Sequence, residues 1–399
     1  MSRSQDLDVV VIGGCGHVGL PLALSLADAG LRVGIFDIDA VKVGLVEAGR
    51  MPFIERGADE LLQKLLPTGR LVLSSEPGIL SETSTVVLVI GTPIDEFLNP
   101  SFKIFDRALE ELAPKLRDDS LVVLRSTVYP GTTDRVSKLL ADYGLGCDVV
   151  FCPERIAEGY ALEEVHEFPQ IVGASSDRAF SRASGLFQAL GVEILRTTPK
   201  EAELTKLMTN SWRYLKFAVA NQFFQIAHAS GIDYENVLHA IRHNYPRAAD
   251  LPGPGFAAGP CLLKDTMQLA SFSRDNFPMG HAAMLVNEGL PGYVLAQINN
   301  RHPLEGRKLG ILGMAFKGES DDPRTSLAYK LKKLAEFWGA ITLCTDPYVP
   351  DPNLLPLEIV LGDADVFVIA APHKRYQQID FGGRPVVDIW RLTGRGVSL

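Results

Sequence analysis

The hydrophobic positions of the chain fall into short unbroken β-branched runs, each followed by a polar turn and then by an apolar pattern of helical spacing. Val9 to Gly14, Leu31 to Phe36, Val86 to Gly91, Leu121 to Leu124 and the run from Val149 form the first series. Such continuous runs are the pattern of parallel strands buried on both faces. Leu20 to Ala29 reads as a helix. So does Met51 to Leu66, with Glu55 as a first-turn acid favoured by the helix dipole. The longest helical pattern runs from Glu201 to about Ala229, with Leu204, Leu207, Met208, Leu215, Val219, Phe223 and Ile226 as its apolar positions, and is long enough to tie two domains together. Ala282 to Gln297 is a further, mostly apolar helix. The polar stretch Arg301 to Arg307 marks a domain boundary. Beyond it, Lys308 to Met314, Ala340 to Asp346, Asp365 to Ala371 and Pro385 to Asp388 supply a second set of short strands around a helix with Leu327, Leu331, Leu334 and Phe337 apolar. The fold class is α/β, with a second, smaller parallel domain at the carboxyl end.

Length agrees, since 399 residues exceed one core and divide into two or three domains. The net charge is -9 and no run of Lys or Arg exceeds two, which argues against nucleic acid or an anionic membrane as the main partner. Cys15, Cys147, Cys152, Cys261 and Cys344 are scattered and odd in number, which indicates neither a disulfide framework nor a metal site. The first residues hold no signal-peptide core, and no stretch of 18 consecutive apolar residues follows, so a cytoplasmic protein is expected.

The turn after the first strand carries Gly14, Gly16 and Gly19, spaced to allow a tight turn, approach of a pyrophosphate to the backbone and close packing of helix on strand. Asp37, 18 residues after Gly19 at the end of the second strand, would accept hydrogen bonds from an adenosine ribose and repel a 2′-phosphate, which predicts NAD over NADP. The turns at Thr92 and Pro93 and from Ser126 through Thr127 to Thr132 leave the carboxyl ends of strands, where ligands of open parallel sheets gather, so they are expected to line the nicotinamide. Cys152 sits in an apolar run and reads as core. Lys206, Asn210, Arg213, Phe217 and Asn221 share one face of the long helix, either a solvated face or a wet site. The glycine- and proline-rich stretch from Pro252 surrounds Cys261, with Lys264 and Asp265 three and four residues on. If a helix begins there, a cation and a carboxylate fall within reach of one sulfur, which is what an activated thiolate requires; a buried structural cysteine is the alternative.

With these motifs in this order the chain resembles the UDP-glucose/GDP-mannose dehydrogenases over nearly its full length. The residues that carry the likeness are the amino-terminal glycines, Gly91 to Pro93, Ser126 to Val128 with Pro130 to Thr132, Pro153 and Glu154 with Glu158 and Gly159, Glu203 to Lys206 with Asn210 and Arg213, Cys261 with Lys264 and Asp265, Asn287, and Phe316 and Lys317 with Asp322, Arg324 and Ser326. The resemblance implies an amino-terminal Rossmann-type NAD domain over 1–198, a long central helix and helical dimerisation region over 199–302, and a smaller Rossmann-like nucleotide-sugar domain over 303–399. It also implies a homodimer that oxidises the 6-hydroxyl of a UDP-sugar to a carboxylate in two hydride transfers to NAD.

In that family's terms Cys261 is the covalent nucleophile, Lys206 and Asn210 are oxyanion donors, and Asp265, Glu154 and a water held by Thr127 serve proton transfer and hydrolysis. Arg324 joins the nucleotide-binding positions, and Arg155, Glu158, Arg213, Arg247, Lys264, Phe316 and Lys317 are implied substrate contacts. The family's Gly-Gly before the cysteine is replaced here by Ala257, Ala258, Gly259 and Pro260. Cys152, Pro153, Glu154, Arg155 and Ile156 look more like the branch acting on UDP-N-acetylhexosamines, whereas Ala157 to Gly159 also suit the UDP-glucose branch. Two other readings stand beside this one. A two-electron 3-hydroxyacid or phosphogluconate-type dehydrogenase needs no cysteine, and a nucleotide-sugar binding protein has lost turnover.

Overall fold

The computed structural model describes residues 6–92 and 102–394, so Pro93 lies outside the described residues. The chain divides into two compact units, Met1–Thr209 and Asn210–Leu399, with the division inside the long helix Pro199–Ala229.

The first unit is built on eight strands: β1 (Val9–Ile12), β2 (Val33–Phe36), β3 (Leu71–Ser74), β4 (Thr85–Leu88), β5 (Leu121–Leu124), β6 (Asp148–Phe151), β7 (Gln170–Ala174) and β8 (Ile194–Thr197). Their order is β3-β2-β1-β4-β5-β6-β7-β8. The first six run parallel; β7 pairs antiparallel with β6, and β8 is parallel to β7. Alternate residues feed two cores: Val9, Val11, Leu121 and Val123 enter one, Val10, Ile12, Val122 and Leu124 the other. Burial on both faces explains the unbroken apolar runs, and each such side chain contributes roughly 1.5–3 kcal/mol relative to exposure.

β3, β7 and β8 escape sequence reading: β3 and β8 are edge strands with partly exposed side chains, and β7, although buried, holds only Ile171 and Val172 as β-branched residues. The expected helix from Met51 is shorter, Ala58–Leu65, because Gly57 turns the chain with a φ of 71° immediately before it. Glu55 therefore precedes the helix. It is buried, and it accepts hydrogen bonds from the backbone N–H groups of Gly159 (2.8 Å) and Leu162 (3.4 Å), joining two loops. Glu203 plays a similar part. Its carboxylate takes the Gly131 N–H at 2.6 Å and the Thr133 N–H and hydroxyl at 2.8 and 2.7 Å, which fastens the start of helix Thr132–Asp142 to the long helix. Burial raises the Glu203 carboxyl above its ordinary value, and these donors only partly counter it.

The second unit holds β9 (Lys308–Leu312), β10 (Ile341–Thr345), β11 (Val366–Ile369) and β12 (Val386–Val387), all parallel, in the order β10-β9-β11-β12. Helix Leu327–Phe337, capped by the Ser326 hydroxyl, buries Leu327 and Leu331 against this sheet's core, whereas Phe337 is 85% exposed. The helix expected at Ala282 extends over Pro278–Arg301 and carries Pro291 in its interior. Among the described residues no helix is long and apolar enough to cross a membrane.

Candidate active site

Where β1 ends, backbone lies on backbone. A Cβ on Gly13, whose φ is 72°, would stand 2.1 Å from the Val89 carbonyl; on Gly14 it would meet the Val11 carbonyl at 2.7 Å, and on Gly19 the Gly13 carbonyl at 2.5 Å. Gly16 differs, since its nearest neighbour would be the Gly13 carbonyl at 3.5 Å. The glycine loop is thus closed on the protein side and open at Gly16, which leaves room for a pyrophosphate at the start of helix Gly19–Asp28. Gly13, which sequence reading passed over, is the member that needs the left-handed backbone. Asp37, half-buried after β2, accepts the Cys15 N–H and the Asp39 N–H, both at 3.0 Å. These residues fit NAD. The Thr92 hydroxyl donates to the Thr127 carbonyl at 2.5 Å, so the turns leaving neighbouring strands β4 and β5 are joined.

Further along the first unit, Lys206 is 4% exposed and donates to both the carbonyl (2.7 Å) and the carboxylate (2.8 Å) of Glu154. The second carboxylate oxygen takes the Ile156 N–H at 2.8 Å. Burial pushes the Glu154 carboxyl up, but Lys206, by charge and hydrogen bond, together with the Arg125 guanidinium and the Ile156 N–H, brings it below the ordinary carboxylate value. Arg155 points its guanidinium at the Pro169 carbonyl, and Glu158 is half-buried. Cys152 is core: fully buried, its thiol is pushed up to about 12, chiefly by burial.

In the second unit Cys261 is an exposed thiol, outside any disulfide, at the N-cap of helix Leu262–Phe272, where the helix dipole favours an anion. Asp265, in the first turn, is completely buried. It accepts the Asn210 side-chain amide at 2.6 Å and faces the Lys264 ammonium at 2.8 Å, and its own N–H donates to the Cys261 carbonyl at 2.8 Å. Lys264 is therefore an ion-pair partner of Asp265.

The loop before the cysteine is clamped at Gly255. The Asn221 side chain donates to the Gly255 carbonyl (3.0 Å) and accepts its N–H (2.8 Å), and it also donates to the Asn287 side-chain oxygen at 2.9 Å. Asn287 in turn donates to the Tyr214 carbonyl at 3.1 Å. Both asparagines are 0% exposed. Only glycine fits at this clamp, because a Cβ on Gly255 would lie 2.0 Å from the Trp390 ring; at Gly259, where φ is 103°, it would lie 2.6 Å from Phe316. Lys317 reaches over the same Phe316 ring, 5.7 Å from its centroid. Ala257 is buried, and Ala258 and Pro260 are half-buried.

The stripe on the long helix is not a solvated face. Lys206, Asn210 and Asn221 are buried and Phe217 is half-buried, while Arg213 is exposed. Arg247 is exposed too, in the short 3-10 turn Pro246–Ala248. Arg324 wraps Asp322, with its Nε 2.9 Å from both carboxylate oxygens and Nη2 2.6 Å from one.

The NAD binding domain of the UDP-glucose/GDP-mannose dehydrogenase family matches residues 8–191, its central domain residues 200–289 and its UDP binding domain residues 310–395. The chain belongs to this family. It is an NAD-dependent nucleotide-sugar dehydrogenase, and NAD is its cofactor. A UDP-N-acetyl-D-mannosamine dehydrogenase of Pyrococcus horikoshii is 29% identical over 387 residues, covering 93% of this chain and 91% of the relative. An NDP-N-acetyl-D-galactosaminuronic acid dehydrogenase of Ralstonia nicotianae is 26% identical over 405 residues, covering 95% of both chains. Among solved structures, a UDP-glucose dehydrogenase of Pyrobaculum islandicum superposes with a TM-score of 0.89 at 28% identity, covering 97% of this chain and 95% of that one.

Proposed function

We propose that this dehydrogenase oxidises the 6-hydroxyl of a UDP-N-acetylhexosamine, N-acetylmannosamine or N-acetylglucosamine, to the uronate through a covalent intermediate on Cys261. The observation that carries the proposal is an exposed thiol at a helix N-terminus, one turn from a buried Asp265 that is fixed by Asn210 and Lys264. The sugar assignment rests on Cys152 to Ile156 together with the Pyrococcus relative. UDP-glucose is the second reading, favoured by the likeness to the Pyrobaculum structure.

NAD, held by Gly14, Gly16, Gly19, Asp37, Thr92, Thr127 and in addition Pro93 and Arg324, supplies the hydride acceptor for each of the two oxidations. The chain's own groups do the rest. Loss of a hydride from the sugar's C6 and of the 6-hydroxyl proton gives the aldehyde; the Cys261 sulfur then bonds to the aldehyde carbon, and the thiol proton goes to the aldehyde oxygen, giving a thiohemiacetal. Loss of its hydride and its hydroxyl proton leaves a thioester. Water then adds to the thioester carbon, the carbon–sulfur bond breaks, and the acid departs as the thiol regains its proton. Lys206 and Asn210 donate to the oxyanion, Glu154 and Asp265 carry protons, and Thr127 holds the water. Arg155, Glu158, Arg213, Arg247, Lys264, Phe316 and Lys317 contact the nucleotide sugar.

The same reading gives three functional parts, 1–198, 199–302 and 303–399, in a cytoplasmic homodimer. Supporting the dimer, Trp212, Val219, Phe223 and Ile226 recur at helical spacing along the long helix and are 57%, 42%, 43% and 57% exposed, an uncovered apolar stripe. The test is NADH yield with UDP-N-acetylmannosamine, UDP-N-acetylglucosamine and UDP-glucose. Two NADH per sugar oxidised are expected with an N-acetylhexosamine; one per sugar, or none with any of them, overturns the proposal.

A further inference from the structure

Beyond β6 the backbone leaves the sheet with Cys152, whose N–H makes the last ladder bond, to the Leu124 carbonyl at 2.8 Å. The next three carbonyls are each taken by a side chain from a different element. Arg125 Nη1 donates to the Cys152 carbonyl at 3.4 Å, Gln170 Nε2 to the Pro153 carbonyl at 3.1 Å, and Lys206 Nζ to the Glu154 carbonyl at 2.7 Å. Arg125 follows β5, Gln170 opens β7, and Arg125 Nη1 also donates to Gln170 Oε1 at 2.9 Å, which locks the two together. All three clamping residues are buried, at 2%, 7% and 4% exposure.

A buried guanidinium is a costly way to hold one carbonyl and one amide oxygen, and a neutral amide holds the carbonyl of Pro153. Arg125 does not use its full hydrogen-bonding capacity, since its Nε finds no partner among the described residues. What Arg125 adds over an amide is positive charge, lying over the Phe187 ring at 5.3 Å from its centroid and held by the Cys152 carbonyl two residues before Glu154. The charged groups acting on that carboxylate are Lys206 from the long helix and Arg125 from the end of β5, and the Cys152 thiol next to it stays neutral.

We infer that Arg125 and Gln170 are positioning residues for the dehydrogenase reaction, holding residues 152–154 so that the Glu154 carboxylate meets Lys206, with Arg125 as a second buried cation for that carboxylate. The inference rests on the proposed reading that Lys206 and Glu154 belong to the reacting site. Neither residue touches substrate in this scheme. Both act through Glu154 and Lys206.

The experiment compares Arg125→Gln, Arg125→Lys, Gln170→Met and Lys206→Ala by steady-state kinetics over pH, with NAD affinity and thermal unfolding measured on each. Arg125→Gln is expected to lower kcat about 100-fold, the scale of a misplaced catalytic group, with NAD affinity unchanged. The acid limb of its kcat profile should rise by about one pH unit as Glu154 loses a nearby cation. Arg125→Lys should return the limb to its place. Gln170→Met, which removes a clamp and no charge, should lower kcat about tenfold without moving the limb, and it keeps the test open if Arg125→Gln does not fold. An unmoved limb in folded Arg125→Gln, or an unaltered kcat in Gln170→Met, overturns the inference while Lys206→Ala is inactive. Full activity in Lys206→Ala overturns instead the reading on which it rests.

Discussion

The two sheets of this chain use the same device at the same place for different ends. In each, a glycine with positive φ follows the first strand and abuts the neighbouring segment: Gly13, at 72°, against Val89, and Gly313, at 92°, against Ala371. In each, an aspartate after the adjacent strand accepts backbone N–H groups of that turn. Asp37 takes Cys15, and Asp346 takes Met314 and Ala315 at 2.6 and 3.0 Å. The difference lies in what remains of the carboxylate. Asp37 is half-buried and keeps a rim position beside an open Gly16. The Asp346 side chain is 0% exposed, takes two more N–H groups from Tyr348 and Val349, and bonds His373 Nε2 at 3.1 Å. His373 Nδ1 accepts the Glu319 N–H, so it is Nε2 that donates. A nucleotide ribose can use the first aspartate; the second is closed off as a structural anion. The same turn therefore leaves a carboxylate partly open in one sheet and closes it off in the other.

Four measurements break or sharpen this contrast. The largest effect belongs to the shared part. Gly13→Ala and Gly313→Ala should each lower the unfolding free energy by about 3 kcal/mol or more, because strained φ and overlap with backbone add; a loss below about 1 kcal/mol in either, by chemical denaturation, removes the common design. Next come the aspartates. Asp346→Ala should cost about 3 kcal/mol of stability, whereas Asp37→Ala should cost less than about 1 kcal/mol but weaken NAD binding 10- to 100-fold, roughly one charged hydrogen-bond pair.

The third is pH dependence. Burial raises the Asp346 carboxyl, yet His373 and the N–H donors bring it from 3.8 down to about 2. A depressed carboxyl stabilises the fold above its unfolded value. About 2 kcal/mol should therefore be present at pH 6 and be lost as pH falls from about 4 to about 2, a loss absent from Asp346→Asn. The smallest is Gly16→Ala, expected to change stability by less than about 0.5 kcal/mol while weakening NAD binding about tenfold, since only the ligand side is open there.

What the sequence disclosed follows from range. The first strand, its glycine turn and Asp37 are legible because turn geometry and strand burial leave a local pattern, and the Cys261, Lys264 and Asp265 spacing is likewise local. The clamp of Asn221 on Gly255 and Asn287, the grip of Arg125 and Gln170 on successive carbonyls, and the Asp346–His373 pair are contacts between distant residues, and no periodicity encodes a partner's position. Glu55 shows the same limit. An acid near a helix start reads as a dipole partner, yet its buried carboxylate joins loops more than 100 residues apart in sequence. Phe337 and the exposed stripe on the long helix show that apolar spacing marks a face without saying what covers it.

The most direct test of the central claim, that Cys261 carries the sugar, is intact-protein mass spectrometry after acid quench during turnover with NAD and the preferred UDP-sugar. The expected result is an adduct of the nucleotide uronyl mass, mapped to Cys261 and absent from Cys261→Ala. Steady production of two NADH per sugar with no adduct on Cys261, or unchanged turnover in Cys261→Ala, would contradict it.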